Sequence, residues 1–270
     1  MNLLGIRQGR LSAASAGRLQ GLPWGAWEQE LDKARALGLD AVEWVFGADR
    51  AAENPIRSSE GRMRMRQCST QSRVRVASVY ADYFLTNPLM RVASAEQAKQ
   101  VQVLMELIAQ ARAVGAVMVV LPLVKQAAPQ TQQDQADLAA CLREPLALAR
   151  SLEMNLALET GLSAPDSFSL LSVINHESAR VSYDAAAEAT KGCDAASDIR
   201  QLGKHLGVIR IEHSPEGAAD FTGIFEALAD TSYAGPLMLQ FADGKDVAAS
   251  IAFVRQYLPL KQASRIGVAA

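Results

Sequence analysis

The chain has 270 residues, of which 49% are hydrophobic and 21% are charged, and its 27 lysine and arginine residues nearly balance 29 aspartate and glutamate residues, for a formal net charge of −2. This composition argues against an intrinsically disordered chain, and the lack of a basic excess argues against a nucleic-acid partner. The length is compatible with two small domains or with one α/β barrel of about 250 residues.

Short runs rich in Val, Ile and Leu alternate with longer helix-like stretches, as expected of βα units around a parallel sheet. Strands are predicted at Leu3–Arg7, Asp40–Val45, Arg73–Tyr80, Ala116–Leu121, Asn155–Glu159, Arg180–Tyr183, Val208–Glu212 and Pro236–Gln240. Helices are predicted at Gly25–Leu37, Ala95–Val114, Thr131–Leu152, Asp194–His205, Phe221–Ala229 and Asp246–Tyr257, with weaker helical patterns at Ser58–Cys68 and Asp166–Ile174. A spacing of roughly 34 residues per strand predicts a (β/α)₈ TIM barrel that forms a single domain over residues 1–270.

The cysteines and the apolar runs bear on where the protein functions. Cys68, Cys141 and Cys193 are odd in number and have no C-x-x-C spacing, so neither a disulfide framework nor a cysteine zinc site is indicated. The longest apolar stretch, Val114 to Val124, is too short to span a bilayer, and the first ten residues do not resemble a signal peptide. The sequence therefore predicts a cytoplasmic protein with no membrane partner.

In a barrel of this type the chemistry takes place where strands end and loops begin, so the residues at the carboxyl ends of the strands are the candidates. The predicted ends carry Arg7, Gln8 and Arg10, then Glu43 and Trp44, Tyr80 and Asp82, Glu159, Asp184, Arg210, Glu212 and His213, and Gln240. Any single polar residue at a strand end is explained by contact with water. Glu159 and Asp184, however, directly close apolar strands, and a polar cap over an apolar barrel is typical of a small-molecule site.

Several of these ends resemble a known family. Leu156-Ala157-Leu158-Glu159-Thr160, Ser182-Tyr183-Asp184 and the strand ends at Arg210 and Gln240 are similar to the xylose isomerase-like TIM barrel superfamily of sugar isomerases and epimerases. Gln8-Gly9-Arg10-Leu11-Ser12, Val42-Glu43-Trp44 and Ser78-Val79-Tyr80-Ala81-Asp82-Tyr83-Phe84 resemble its sugar phosphate isomerase/epimerase branch. The resemblance covers nearly the whole chain.

This resemblance implies a divalent metal (Mn, Zn, Co or Mg) held by Glu, Asp, His and Glu side chains from strands five to eight. The metal would polarise an open-chain sugar while a carboxylate moves a proton through an enediolate. Glu159 and Asp184 match the first two ligands, but Arg210 stands at the histidine position and Gln240 at the second glutamate position. A guanidinium has no lone pair to give to a metal, whereas Gln240 offers at most a carbonyl oxygen.

Two accounts of this departure remain open. In the first, Arg210 points inward between Glu159 and Asp184 and replaces the charge of the metal with its own. In the second, a metal is bound by Glu159, Asp184 and Gln240 with Glu212 or His213. We favour the first account because a guanidinium beside a metal ion would weaken metal binding.

The expected function is a sugar or sugar-phosphate isomerase or epimerase. Its predicted catalytic residues are Glu159 as the proton-transfer base, with Asp184, Arg210, Glu212 and His213 as partners. The predicted substrate-binding residues are Arg7, Gln8, Arg10, Glu43, Trp44, Tyr80, Asp82 and Gln240, among which Arg7 and Arg10 suit a phosphate or carboxylate. The alternative is a barrel without catalytic activity that binds a carbohydrate-like ligand or a protein partner. A homo-oligomer is compatible with either function.

Overall fold

Eight short runs of β-branched and other apolar residues form strands in the computed structural model, which describes residues 2–12, 21–212, 220–240 and 247–258. The strands are β1 (Leu4–Arg7), β2 (Ala41–Val45), β3 (Arg75–Tyr80), β4 (Met118–Pro122), β5 (Asn155–Glu159), β6 (Ala179–Asp184), β7 (Leu206–Glu212) and β8 (Leu237–Gln240). Each strand pairs in parallel with the next, and β1 pairs with β8, so the sheet closes into a barrel. This confirms the predicted single-domain (β/α)₈ TIM barrel.

Helices surround the strands. Within the described residues they are α1 (Trp27–Ala36), α2 (Ser59–Ser72), α3 (Ser94–Ala113), α4 (Gln132–Ser151), α5 (Ala164–Ile174), α6 (Ala185–Thr190), α7 (Ala195–Leu202), α8 (Phe221–Asp230) and α9 (Val247–Arg255). Side-chain caps fix several starting points: Ser163, for example, accepts a hydrogen bond from the backbone N–H of Asp166, three residues into α5. The short helix α6 was not predicted, although its position directly after Asp184 matters for the site.

The barrel interior begins with a small apolar layer and becomes charged above it. The apolar residues of this layer are Ala41, Ala77, Tyr80, Met118, Val120, Ala157, Val208 and Met238. Gly5 leaves room for this packing, because a Cβ there would lie 2.7 Å from the sulfur of Met238 and 2.9 Å from the carbonyl oxygen of Ala41. The larger core lies between the outside of the sheet and the helices. No helix in the described part of the chain is long and apolar enough to cross a membrane.

Strand register brings the predicted site residues of β5 to β8 together at the carboxyl end of the barrel. Asp184 on β6 lies opposite Arg210 on β7, and Glu212 lies opposite Gln240 on β8. Glu159 ends β5 opposite Pro122. The carboxyl ends of strands five to eight therefore meet at the same edge, as the barrel geometry requires.

Candidate functional site

Arg210 is the centre of a charged cluster inside the barrel. Its side chain is 1% exposed, and its Nη2 lies 3.2 Å from Oε2 and 3.3 Å from Oε1 of Glu43 on β2. Its Nη1 lies 2.8 Å from Oε2 of Glu159 and also donates a hydrogen bond to the hydroxyl of Ser182 on β6. One guanidinium thus joins strands β2, β5, β6 and β7.

The first account expected Arg210 to lie between Glu159 and Asp184. The structure places Glu159 2.8 Å from the guanidinium and leaves Asp184 as a nearby negative charge, and it adds a carboxylate that the account did not include. The hydrogen-bonded carboxylate opposite Glu159 is that of Glu43, which was expected to bind substrate but is fully buried. Glu43 also accepts hydrogen bonds from Nε of Arg7 at 2.8 Å and from the hydroxyl of Ser78 at 3.1 Å. Burial by itself would raise the pKa of Glu43, but the positive charges of Arg210 and Arg7 outweigh burial and hold the pKa below its usual value.

Two register irregularities adjoin the partners of Arg210. The pairing of β2 with β3 shifts between Val42 and Glu43, and the pairing of β6 with β7 shifts between Val181 and Ser182. A local irregularity of this kind changes the direction of the next side chain relative to a regular strand. We infer that these shifts help to direct Glu43 and Ser182 toward Arg210.

Tyr80 on β3 packs between the two guanidinium groups. The Cζ of Arg7 lies 3.6 Å from the centre of its ring, and the Cζ of Arg210 lies 5.1 Å from it, both within the range of a cation–π interaction. Burial raises the pKa of the Tyr80 hydroxyl, and the nearby carboxylate of Glu159 adds to this effect. The phenol therefore remains protonated at neutral pH.

The cluster is balanced in charge but incompletely satisfied in hydrogen bonds. Within the described residues, the buried atoms without a hydrogen-bond partner include Nη2 of Arg7, Nε2 of Gln8, Nε of Arg210 and Oε2 of Glu159. The last atom is close to Arg210 but not aligned with an N–H, so its contact is an ion pair rather than a hydrogen bond.

Asp184 and Gln240 form a second group beside the cluster. One carboxylate oxygen of Asp184 accepts hydrogen bonds from the N–H groups of Ala186 and Ala187 at 3.1 and 3.0 Å, at the start of α6. The other oxygen accepts a hydrogen bond from the side-chain amide of Gln240 at 2.9 Å. Both oxygens of Asp184 are therefore engaged.

The donor set does not fit the metal that the family resemblance implies. At the histidine position Arg210 presents only N–H donors, one of them against Glu159. Gln240 turns its NH₂ group, not its carbonyl oxygen, to Asp184. Among the described residues no three His, Cys, Asp or Glu side chains are grouped to hold a metal ion. The second account also relied on Glu212, which is half-buried at the end of β7, and on His213, which lies outside the described residues.

A pocket of about 180 Å³ lies at the carboxyl ends of β5 and β6. Its polar lining includes Glu159, Thr160, Ser182, Asp184, Glu188 and Lys191. Three of these residues, Ser182, Glu188 and Lys191, are not among the site residues predicted from the sequence. Ser182 precedes Asp184 by two positions, which in a strand points to the same face, and Glu188 and Lys191 are three residues apart beyond Asp184. The two-residue spacing of Ser182 and Asp184 and the three-residue spacing of Glu188 and Lys191 could therefore have been found in the sequence.

The other predicted residues lie in different surroundings. Trp44 is fully buried in the outer core, where its ring packs edge-on against Trp27 at 5.2 Å and its N–H bonds to Asn54, so it does not reach the mouth of the barrel. Gln8 is buried and accepts a hydrogen bond from the N–H of Val45 at 3.3 Å. Arg10 follows β1 in a partly exposed loop. Asp82 follows β3, and burial raises its pKa, with Arg7 partly offsetting the effect.

The family model for the xylose isomerase-like TIM barrel matches residues 31–257. The chain belongs to the xylose isomerase-like TIM barrel family. No curated protein sequence matches the chain. Among solved structures, an L-ribulose 3-epimerase is similar to this family member with a TM-score of 0.75 and 20% identity, over 95% of this chain and 93% of that chain.

Two further structures share the fold of this xylose isomerase-like barrel. A D-allulose 3-epimerase from Methylomonas sp., solved with D-allulose, has a TM-score of 0.74 and 18% identity, covering 95% of this chain and 97% of its own. A 3-keto-D-glucoside 4-epimerase from E. coli has a TM-score of 0.74 and 14% identity, covering 95% of this chain and 100% of its own. At these identities the likeness establishes the fold of the chain.

Proposed function

We propose that this protein is an isomerase or epimerase of an open-chain sugar or sugar phosphate and that Glu159 is its proton-transfer base. One observation carries the proposal: the carboxylate of Glu159 lines the pocket while its Oε2 lies 2.8 Å from the buried guanidinium of Arg210. A carboxylate that lines a pocket and is held in one orientation by a buried cation is within reach of a proton on a molecule bound there. The sugar epimerases with the same fold support the choice of a sugar.

The reaction is one of proton transfer without net change in charge. Glu159 takes a proton from a carbon beside the sugar carbonyl, and the electron pair of the broken C–H bond forms the enediolate. The hydroxyl proton of the first carbon then passes to the oxyanion on the former carbonyl carbon. Glu159 returns its proton to that carbon as the first carbon becomes the new carbonyl, which gives isomerisation. Epimerisation instead requires a proton to reach the first carbon from its other face, so a second proton donor is needed. None of these steps passes through a metal, because Arg210 and the amide of Gln240 present N–H donors where a metal would need lone pairs.

Arg210 acts as a positioning residue in this mechanism. Its guanidinium is 1% exposed and contacts Glu43, Glu159 and Ser182, so it fixes the carboxylate of Glu159 without touching the substrate. In this proposal its positive charge also stabilises negative charge that develops on a substrate beside Glu159, because a preorganised charge in a site of low dielectric constant stabilises such an intermediate. Tyr80, which remains protonated, is a neutral group that lies against both guanidiniums.

The proposal is tested by exchange of solvent deuterium into sugars. The protein is incubated in deuterium oxide with D-fructose, D-allulose, D-tagatose and their phosphate esters, and label beside the carbonyl is measured by NMR. We expect Glu159→Gln to reduce exchange by at least about a hundredfold, since general bases contribute about 10²–10⁴-fold. Glu153→Gln, at an exposed glutamate after α4, is the matched control and should leave exchange unchanged. A rate of deuterium exchange that is unchanged by Glu159→Gln would contradict the proposal.

A second candidate is a barrel that binds a sugar without converting it. It is favoured by one feature of the site: both oxygens of Asp184 are held by hydrogen bonds, so the second carboxylate of the pocket is not free to donate or accept a proton. The same experiment separates the two functions. Saturable binding of a sugar with no label in that sugar supports the binding protein, whereas label that depends on Glu159 supports the enzyme.

A further inference from the structure

Glu188 and Lys191 form an ion pair in the wall of the pocket. Nζ of Lys191 lies 2.7 Å from Oε1 of Glu188, and their side chains are 48% and 6% exposed. The second oxygen of Glu188 accepts a hydrogen bond from the thiol of Cys193 at 3.7 Å. The carboxylate is therefore largely hidden, and the ammonium is the exposed partner.

Lys191 also connects the two loops that border the pocket. Its Nζ donates a hydrogen bond at 3.0 Å to the carbonyl oxygen of Gly161, two residues after Glu159. Within the described part of the chain, Glu188 and Gly161 account for two of the three N–H groups of the ammonium. The third N–H is available to an oxygen atom of a ligand in the pocket, because Lys191 lines it.

The charges of the pocket wall decide which ligand this N–H suits. The charged residues that line the pocket are the carboxylates of Glu159, Asp184 and Glu188 and the ammonium of Lys191. Arg210 offsets Glu159 from below, and Glu188 offsets Lys191. The wall therefore has no uncompensated positive charge among the described residues, whereas a phosphate ester carries almost two negative charges and requires cationic donors.

We propose that the Glu188–Lys191 pair is a specificity-determining element that makes the pocket accept an uncharged sugar and reject its phosphate ester. The inference rests on the proposed function and narrows its substrate class. Glu188 cancels the charge of Lys191 but leaves its hydrogen-bonding capacity, so Lys191 binds a hydroxyl or carbonyl oxygen. The carboxylates of the wall accept hydrogen bonds from other hydroxyls of the same sugar.

Inorganic phosphate tests the pair directly, with binding followed by phosphorus-31 NMR. We expect weak binding to the unaltered protein, binding at least about tenfold tighter to Glu188→Gln because the ammonium is no longer neutralised, and loss of this gain in Glu188→Gln combined with Lys191→Met. Glu226 is exposed on α8, and Glu226→Gln removes one negative charge, as Glu188→Gln does, so it serves as the control. Circular dichroism verifies that each variant is folded.

If Glu188→Gln does not fold, phosphate binding to the single variant Lys191→Met still tests the inference. The inference requires phosphate binding to be insensitive to Lys191→Met in a protein that retains Glu188. A tenfold loss of phosphate binding in this variant would overturn the inference, as would the absence of a gain in a folded Glu188→Gln protein.

Binding of sugars and of their phosphate esters distinguishes a failure of this inference from a failure of the proposed function. D-fructose, D-allulose and D-tagatose are expected to bind at least about tenfold more tightly than their phosphate esters, and Glu188→Gln should reduce that difference. If the esters bind more tightly to the unaltered protein, the inference is overturned and the proposed sugar chemistry stands. If no sugar and no ester binds, the proposed function fails. The binding of inorganic phosphate to the variants still shows whether Glu188 neutralises Lys191.

Discussion

Arg210 on β7 and Glu43 on β2 meet inside the barrel, with Nη2 3.2 Å from Oε2, although 167 positions separate them in the chain. Both side chains are removed from water. Each charge has a second partner, since Arg210 also contacts Glu159 and Glu43 also binds Arg7. Because removing charges from water is costly, the four groups are stable there only as a set.

Removing the guanidinium should therefore destabilise the fold. We expect Arg210→Met to lower the free energy of unfolding by about 3–5 kcal/mol. Among the described residues, this change leaves the buried carboxylate of Glu43 with one cationic partner and Glu159 with none. Urea denaturation measures the change. Arg66→Met, at an exposed position on α2, is the control and should change the free energy by no more than about 0.5 kcal/mol. Equal effects of the two substitutions would show that the cluster contributes little to stability.

Restoring a metal-binding side chain should change the metal affinity of the protein. We expect Arg210→His to bind Mn²⁺, Co²⁺ or Zn²⁺ more tightly than the unaltered protein, because an imidazole adds a lone pair beside Glu159 where the guanidinium supplied a positive charge. Metal analysis of the purified proteins and the shift of the unfolding midpoint on adding metal are the measurements. Stoichiometric metal in the unaltered protein, purified without chelator, would refute the proposal that Arg210 takes the place of the metal.

Glu43 should contribute stability that is lost in acid. Its pKa in the folded protein lies below the ordinary value of 4.5, because Arg210 and Arg7 outweigh the effect of burial. The contribution is therefore complete above pH 4.5 and is lost as the pH falls through the folded value. We expect the difference in unfolding free energy between the unaltered protein and Glu43→Gln to be largest at neutral pH and to decrease in acid. A difference that increases in acid would contradict this assignment.

Glu30 on α1 should show the opposite dependence on pH. Its buried carboxylate accepts hydrogen bonds from the N–H groups of Gly9 and Leu11 in the loop that follows β1. Burial raises its pKa above 4.5, and the hydrogen bonds offset only part of that effect. The stability linked to this group is thus complete below pH 4.5 and is lost as the pH rises through the folded value.

Glu30→Gln removes this titration while keeping an oxygen acceptor for the loop. The stability of the unaltered protein relative to the variant should therefore decline as the pH rises from 4.5 through the folded pKa of Glu30. Urea midpoints at a series of pH values provide the measurement, and Glu226→Gln is the exposed control. A relative stability that rises over this interval would show that the ionised carboxylate is favoured in the folded protein.

The sequence determined the strands and the residues at their ends. The apolar runs predicted Asn155–Glu159 with the bounds that the structure has, and Glu159, Asp184, Arg210 and Gln240 were assigned to the ends of β5 to β8, where they lie. Such inferences succeed because the apolar pattern of a strand and the position of its last residue are local properties of the chain. The helix α6 was missed, because its six residues are too few to show a helical repeat.

Only the tertiary structure decided which groups meet. From the sequence, Glu43 and Trp44 were equivalent candidates at one strand end, yet Glu43 faces Arg210 inside the barrel and Trp44 packs against Trp27 outside it. The sequence likewise gave no reason to prefer Glu43 over Asp184 as the partner of Arg210. Adjacent residues of a strand point to opposite faces, and barrel closure and the register shifts at Glu43 and Ser182 then determine which side chains converge. These are relations between distant strands, which no local pattern contains.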